Sequence, residues 1–227
     1  MIRCVMFDLG HVLIPFDPQR FYDFARVHQP PGAIEPERCL GFACISRFDT
    51  GHITAEEFCF EMKKHLRLNV DEDEFWSHFC NIMEPDQKMV ALKRALKENG
   101  FKLAVISNIN QRHFEYAQTN YPEVFSDFDY LALSFRLYTK KPDPKMYSVP
   151  ARELGVLPEE CFLVDDIKIN IEAFEQWGGT GHHFNVGDDG SCYNSRREIE
   201  RNRLLLRMVS LGMLNLNQAG SVARVDF

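Results

Sequence analysis

Three short apolar runs constrain this chain more than any other feature, because each stops abruptly at polar, chemistry-bearing residues. Ile2 to Phe7 ends at Asp8, Leu103 to Ile106 ends at Ser107-Asn108, and Cys161 to Val164 ends at Asp165-Asp166. Continuous apolar runs of this length suit strands buried on both faces, the environment of a parallel sheet. Helical patterns lie between the runs. The expected fold is therefore α/β, a Rossmann-like parallel sheet flanked by helices and joined by right-handed crossovers. In such sheets ligands bind beyond the carboxyl ends of the strands, and all three runs put their polar residues at that end. Tyr130 to Leu133 and Gly181 to Val186 are further expected strands.

Met89, Val90, Leu92 and Leu96 recur at helical spacing, and Asn99-Gly100 marks a stop before the second strand. Pro144 to Leu154, closed by Gly155, is an expected helix that Pro150 should kink. Ile169 to Trp177 is another, ending at Gly178-Gly179. Between the first two strands lie far more residues than one crossover requires. Residues 17–84 are expected to form a small all-helical cap inserted after the first strand, leaving 1–16 and 85–227 as the α/β core. Thr54-x-x-Glu57 is a capping box opening a helix with Phe58, Met62 and Leu66 on one face. Asp71 and Glu74 open another, whose stripe of Phe75, Trp76, Phe79, Cys80 and Met83 is helix packing rather than a cofactor site. A last helix is expected over 194–214, carrying Ile199, Leu205, Leu206 and Val209, with the residues after it loose.

Among 227 residues, 33 are acidic and 26 are Lys or Arg, a net charge of −7. That balance argues against a nucleic-acid or membrane-surface partner, since both need a cationic face. No apolar run approaches the roughly 20 residues that span a bilayer. The N-terminal run meets Asp8 too early for a signal peptide. Seven cysteines, odd in number and never spaced C-x-x-C, fit reduced thiols in a cytoplasmic protein. The chain is expected to act as a monomer or a homodimer.

Asp8, Asp165 and Asp166 would share one end of the sheet. Three converging carboxylates repel one another and raise each other's pKa values unless a cation compensates. A hard divalent ion such as Mg2+ is the natural compensation, and its remaining oxygen positions favour a phosphorylated substrate. Lys141, in Lys140-Lys141-Pro142-Asp143-Pro144, precedes a helix start, where the dipole disfavours a cation. A nearby anion explains it, and so does simple exposure in a charged loop. Ser107-Asn108 supplies a hydroxyl and an amide suited to phosphate oxygens, although alone the pair is ordinary turn chemistry.

With these motifs assembled, the chain resembles the haloacid dehalogenase-like hydrolase superfamily. The matching phrases are V-M-F-D-L-G-H-V-L, V-I-S-N-I-N, K-K-P-D-P-K-M-Y and F-L-V-D-D-I-K-I-N, spread over nearly the whole chain. Within it the chain is most similar to a helical-cap branch holding alpha-D-glucose-1-phosphate phosphatase and the N-terminal phosphatase domain of soluble epoxide hydrolase. G-H-I-T-A-E-E-F and S-N-I-N-Q-R-H support that placement. The resemblance implies that Asp8 is a nucleophile forming an aspartyl-phosphate. It implies Mg2+ held by Asp8, the main-chain carbonyl of Gly10 and Asp166, with Asp165 beside them. It implies that Ser107, Asn108 and Lys141 hold the transferring phosphoryl group. The expected function is a Mg2+-dependent phosphatase acting on a small phosphorylated metabolite, foremost a sugar phosphate.

One position departs from the superfamily pattern. Most of its phosphatases carry a second aspartate two residues after the nucleophile, as general acid and base. Here that residue is Gly10. A general acid typically contributes about 10²–10⁴-fold, so a well-activated leaving group such as an anomeric phosphate is expected. His11 and Asp17 are the candidate substitutes for the missing acid. Other readings stay open: a 2-haloacid dehalogenase, which needs no metal; phosphonate cleavage, which needs a cap lysine such as Lys63 or Lys64; and a catalytically silent phosphometabolite binder. Substrate contacts are expected from Cys39 to His52, including Arg47.

Overall fold

Alternation along the strands decides which helices cover which face of the sheet. The structure, a computed structural model, describes residues 1–187 and 193–224. Its sheet has five parallel strands: β1 (Cys4–Phe7), β2 (Lys102–Ser107), β3 (Tyr130–Leu133), β4 (Cys161–Asp165) and β5 (Thr180–His183), in the order β3-β2-β1-β4-β5. β1 sits centrally, with Phe7 opposite Val105 of β2 and Val164 of β4. Cys4 and Met6 join Ala104, Ile106, Cys161 and Leu163 on one face, packed against Met146, Tyr147, Ile171 and Phe174. Val5 and Phe7 join Leu103, Val105, Phe162 and Val164 on the other.

Between β1 and β2 the chain forms the helices Gln19–His28, Ala43–Asp49, Ala55–Leu66 and Glu72–Cys80, with a 3-10 turn over Pro36–Gly41. Thr54 and Glu57 cap each other reciprocally, at 3.2 and 2.8 Å. The Asp71 carboxylate accepts from the Glu74 N–H at 2.8 Å. The apolar stripes meet in an aromatic cluster in which Phe21 lies 5.3 Å from Phe79, and Phe48 4.4 Å from Phe58. The chain enters and leaves this segment side by side, through Asp17 N to Ile82 O at 2.7 Å and Glu84 N to Pro15 O at 3.0 Å. Its buried side chains form one apolar cluster with the Val5–Phe7 face of the sheet.

Two expectations need correction. The fifth strand is Thr180–His183, so Phe184 to Val186 lie beyond it, although Phe184 N–H still donates to Asp165 O at 2.9 Å. The expected helix before Gly155 is present as Lys145–Leu154 with Pro150 inside it, where the missing backbone donor is offset by burial of Met146, Tyr147, Pro150 and Ala151 on the sheet. The residues after the last expected helix are not loose as far as 224. The helix Tyr193–Ser210 is followed by Leu216–Ala223, capped reciprocally by Asn215 and Gln218. Val222 and Met213 are buried there, and Gln218 Nε2 donates to Asn99 Oδ1 at 2.6 Å. Of Leu204-Leu205-Leu206, the first two are buried in the core and the third is exposed. Of the seven cysteines, Cys192 lies outside the described residues and the other six are buried free thiols. Among the described residues, no helix is long and apolar enough to cross a membrane.

Candidate active site

The central strand delivers Asp8 to the carboxyl edge of the sheet, where its N–H donates to Val164 O at 2.9 Å. β4 ends on Asp165, with Asp166 next in the chain. Lys141 comes from the loop between β3 and the helix Lys145–Leu154. Its Nζ lies 2.8 Å from Asp8 Oδ2 and 2.6 Å from Asp165 Oδ2. This lysine is only 3% exposed, so the anion that its helix-start position called for consists of two carboxylates. One oxygen each from Asp8, Asp165 and Asp166 lies within 4.8 Å of the others.

Burial sets the charge state of this group. It raises the Asp8 carboxyl to about 6; the Lys141 ammonium opposes the shift and the Asp165 charge adds to it. Burial also raises Asp166, to about 8, with the Asp8 and Asp165 charges pushing the same way. For Lys141 burial acts to lower the pKa, but the Asp165 and Asp8 carboxylates outweigh it and hold the ammonium well above its ordinary range. A buried ammonium thus stays charged while its carboxylates compete for it. The only donors in the triad are oxygens, a set that fits a hard divalent cation.

Local contacts fix these side chains. Asp8 Oδ1 accepts the Leu9 N–H at 2.7 Å. Asp165 Oδ1 accepts the Ile167 N–H at 2.9 Å and Asn170 Nδ2 at 3.0 Å. The His183 ring reaches Asp166 O at 2.9 Å. Ser107 is buried at the end of β2. Both ends of the Asn108 amide engage the Lys141 main chain, so this side chain orients the lysine. The Gly10 carbonyl accepts from Val12 N–H at 2.6 Å, which leaves its second lone pair for a cation. A Cβ at Gly10 would meet Phe16 Cε1 at 3.2 Å, so a side chain there would need the ring to give by a few tenths of an ångström.

A cleft of about 1310 Å³ opens on Asp166. His11, Phe16, Asp17, Arg20 and Arg201 help to line it. His11 is left-handed, with φ of 51°, and its ring stacks on Phe16 at 4.1 Å. Asp17 is exposed, and its Oδ1 accepts the Gln19 N–H at 3.0 Å. Arg47 pairs with Glu61 at 3.0 Å instead of lining the cleft, and neither Lys63 nor Lys64 borders it.

Several supporting residues escaped sequence reasoning. Asn170 had a readable cue, the first turn of the helix after the acidic pair. Ser134 had none: its Oγ accepts Ile109 N–H at 2.9 Å and donates to Asp49 O at 2.5 Å, across 85 residues. Asp49 itself accepts from Asn110 Nδ2 at 3.2 Å, and burial raises its carboxyl to about 6.

Similarity to known proteins agrees with this geometry. A haloacid dehalogenase-like hydrolase domain-containing protein of Arabidopsis thaliana is 30% identical over 98 residues, 42% of this chain and 31% of that protein. The sesquiterpene phosphatase of Aspergillus oryzae is 23% identical over 182 residues, 80% of this chain and 89% of the relative. A HAD family enzyme of Bacteroides thetaiotaomicron, crystallised with magnesium and inorganic phosphate, shares the fold with a TM-score of 0.72 at 22% identity, over 84% of this chain and 98% of that one. The haloacid dehalogenase-like hydrolase family matches residues 2–178, most of the sheet and everything between its strands. On that match and this fold, the chain belongs to the haloacid dehalogenase-like hydrolase family.

Proposed function

We propose that the chain is a Mg2+-dependent phosphatase, hydrolysing a small phosphorylated metabolite through an aspartyl-phosphate on Asp8. The observation that carries this reading is an all-oxygen acidic triad, two of whose carboxylates share one buried lysine. Three carboxylates against one ammonium leave the site short of positive charge. Asp8, Asp166 and the Gly10 carbonyl, with Asp165 beside them, would hold Mg2+, which when bound stabilises phosphoryl charge as a Lewis acid.

An Asp8 carboxylate oxygen attacks phosphorus, the bond from phosphorus to the leaving oxygen breaks, and that oxygen departs with the electron pair and takes up a proton. Water then attacks the same phosphorus, breaks its bond to Asp8 and releases inorganic phosphate. Once Asp8 is esterified, its charge is gone and Lys141 can turn to the phosphoryl oxygens, with the Ser107 hydroxyl beside it. Position 10 supplies no carboxylate to protonate the leaving group, and Phe16 lies against it. An anomeric sugar phosphate, whose leaving oxygen departs with little assistance, fits best. His11 and Asp17, on the cleft wall, are the groups from which such assistance would come.

Residues 17–84 act in this reading as a cap that covers the site and excludes water, over a core of 1–16 and 85–227. The buried free thiols suit a reducing cytoplasmic setting. A phosphatase of the same length class among the relatives supports the reading. The test is phosphate release from a panel of phosphorylated metabolites, with and without Mg2+, for wild type and Asp8→Asn. Metal-dependent release lost on Asp8→Asn supports it. Halide release from 2-haloacids, or turnover indifferent to metal, overturns it.

A further inference from the structure

We propose that Arg197, on the helix Tyr193–Ser210, is a positioning residue for the nucleophile, holding the turn that follows Asp8 from a part of the chain outside the family match. The proposal rests on the reading in which Asp8 attacks. The family match ends at residue 178, so nothing in it assigns a role to this helix. Yet Arg197 is only 3% exposed, and its guanidinium is aimed at the loop after β1. Nη1 donates to the His11 carbonyl and Nη2 to the Val12 carbonyl, the latter at 2.9 Å. Nε and Nη2 also donate to Asp86 Oδ2, at 3.1 and 2.6 Å.

Asp86 completes the brace. It accepts from Arg201 at 2.6 Å, and its own N–H donates to Leu13 O at 2.9 Å. Three successive carbonyls, those of His11, Val12 and Leu13, are therefore held by one arginine–aspartate pair. The turn they belong to is tight: Leu13 N–H and Ile14 N–H both donate to Leu9 O, at 3.0 and 2.7 Å. Leu9 N–H in turn donates to Asp8 Oδ1. Leu9 therefore links the turn, through its carbonyl, to the nucleophilic carboxylate, through its N–H. A planar fork can serve two carbonyls and a carboxylate at once, which a lysine ammonium on a flexible stem cannot do with the same geometry.

The test compares Arg197→Ala and Arg197→Lys with Leu204→Ala, a core substitution on the same helix that leaves the Arg197 contacts in place. Amide hydrogen exchange over residues 9–14 and steady-state phosphate release are both read. Both Arg197 variants should speed exchange in the turn by about tenfold and lower kcat by about tenfold, with KM within about twofold. Guanidinium ion should restore part of the kcat of Arg197→Ala. Leu204→Ala should lower Tm and move neither readout. Unchanged exchange in Arg197→Ala, or an equal rise in Leu204→Ala, overturns the proposal. Absence of phosphate release in the wild type overturns the phosphatase reading instead, and the exchange comparison still decides the role of Arg197.

Discussion

Asn108 grips the main chain of Lys141 from both sides: its Oδ1 accepts the Lys141 N–H at 2.7 Å, and its Nδ2 donates to the Lys141 carbonyl at 3.2 Å. The residue that carries the buried positive charge is thus oriented by a neighbour at the end of β2. Each of these bonds contributes about 1 kcal/mol, and an orphaned buried partner costs more. Asn108→Ala should lower stability by roughly 2 kcal/mol in urea titrations and reduce kcat by about tenfold. A variant of unchanged kcat would show that the lysine needs no such grip.

Lys141 offsets two buried carboxylates, so its loss should be felt without any substrate. Lys141→Met should destabilise the metal-free protein by about 3–5 kcal/mol, the cost of stranding buried charge. Added Mg2+ should recover part of that. In the wild type, Mg2+ at 100 times its Kd should stabilise by about 2.7 kcal/mol, visible as a rise in Tm. Asp166→Asn should abolish the rise. An equal Tm rise in that variant would move the cation elsewhere.

Phe16 crowds the position where most relatives' general acid would start. Gly10→Asp alone should therefore gain little, because the new Cβ presses on the ring at 3.2 Å. Combined with Phe16→Leu, it should raise kcat/KM for simple alkyl phosphates by about 10²-fold while changing anomeric phosphates far less. Equal gains on both substrate types would remove leaving-group activation as the reason position 10 is glycine.

Asp49 gives the fold a pH dependence of known sign. Its carboxyl is raised from 3.8 to about 6 by burial, so the folded protein holds a proton that the unfolded chain has lost. Stability from this group is complete below 3.8 and is lost as pH rises through about 6. Asp49→Asn keeps an acceptor for Asn110 and removes the charge. Its stability advantage over wild type should grow by on the order of 1–2 kcal/mol between pH 4.5 and 7.5 in denaturant titrations. Parallel stability curves would contradict this.

The site's chemistry was legible because it is written where strands end. Asp8, Ser107 and Asp165-Asp166 each interrupt an apolar run, and the parallel register brings those interruptions to one edge. From its own pattern Lys141 stood out as a cation in an unfavourable place, and the resemblance gave it a phosphoryl-holding role; its two acidic partners are 133 and 24 residues away. The grip of Asn108 on the Lys141 main chain was not legible, because pattern shows a residue's type and not its partner. Arg197 was invisible for the same reason, since it reaches His11 across 186 residues. The fifth strand was misplaced because Phe184 and Val186 are buried just as strand residues are, beyond the last ladder contact.

The apolar cluster that fills the helices between β1 and β2 continues without a seam onto the Val5–Phe7 face of the sheet. Those helices cannot be exchanged for a relative's as a detachable part, because a transplant brings a foreign half of a shared interior. Any substitution inside them is therefore answerable at once to the sheet on which they rest.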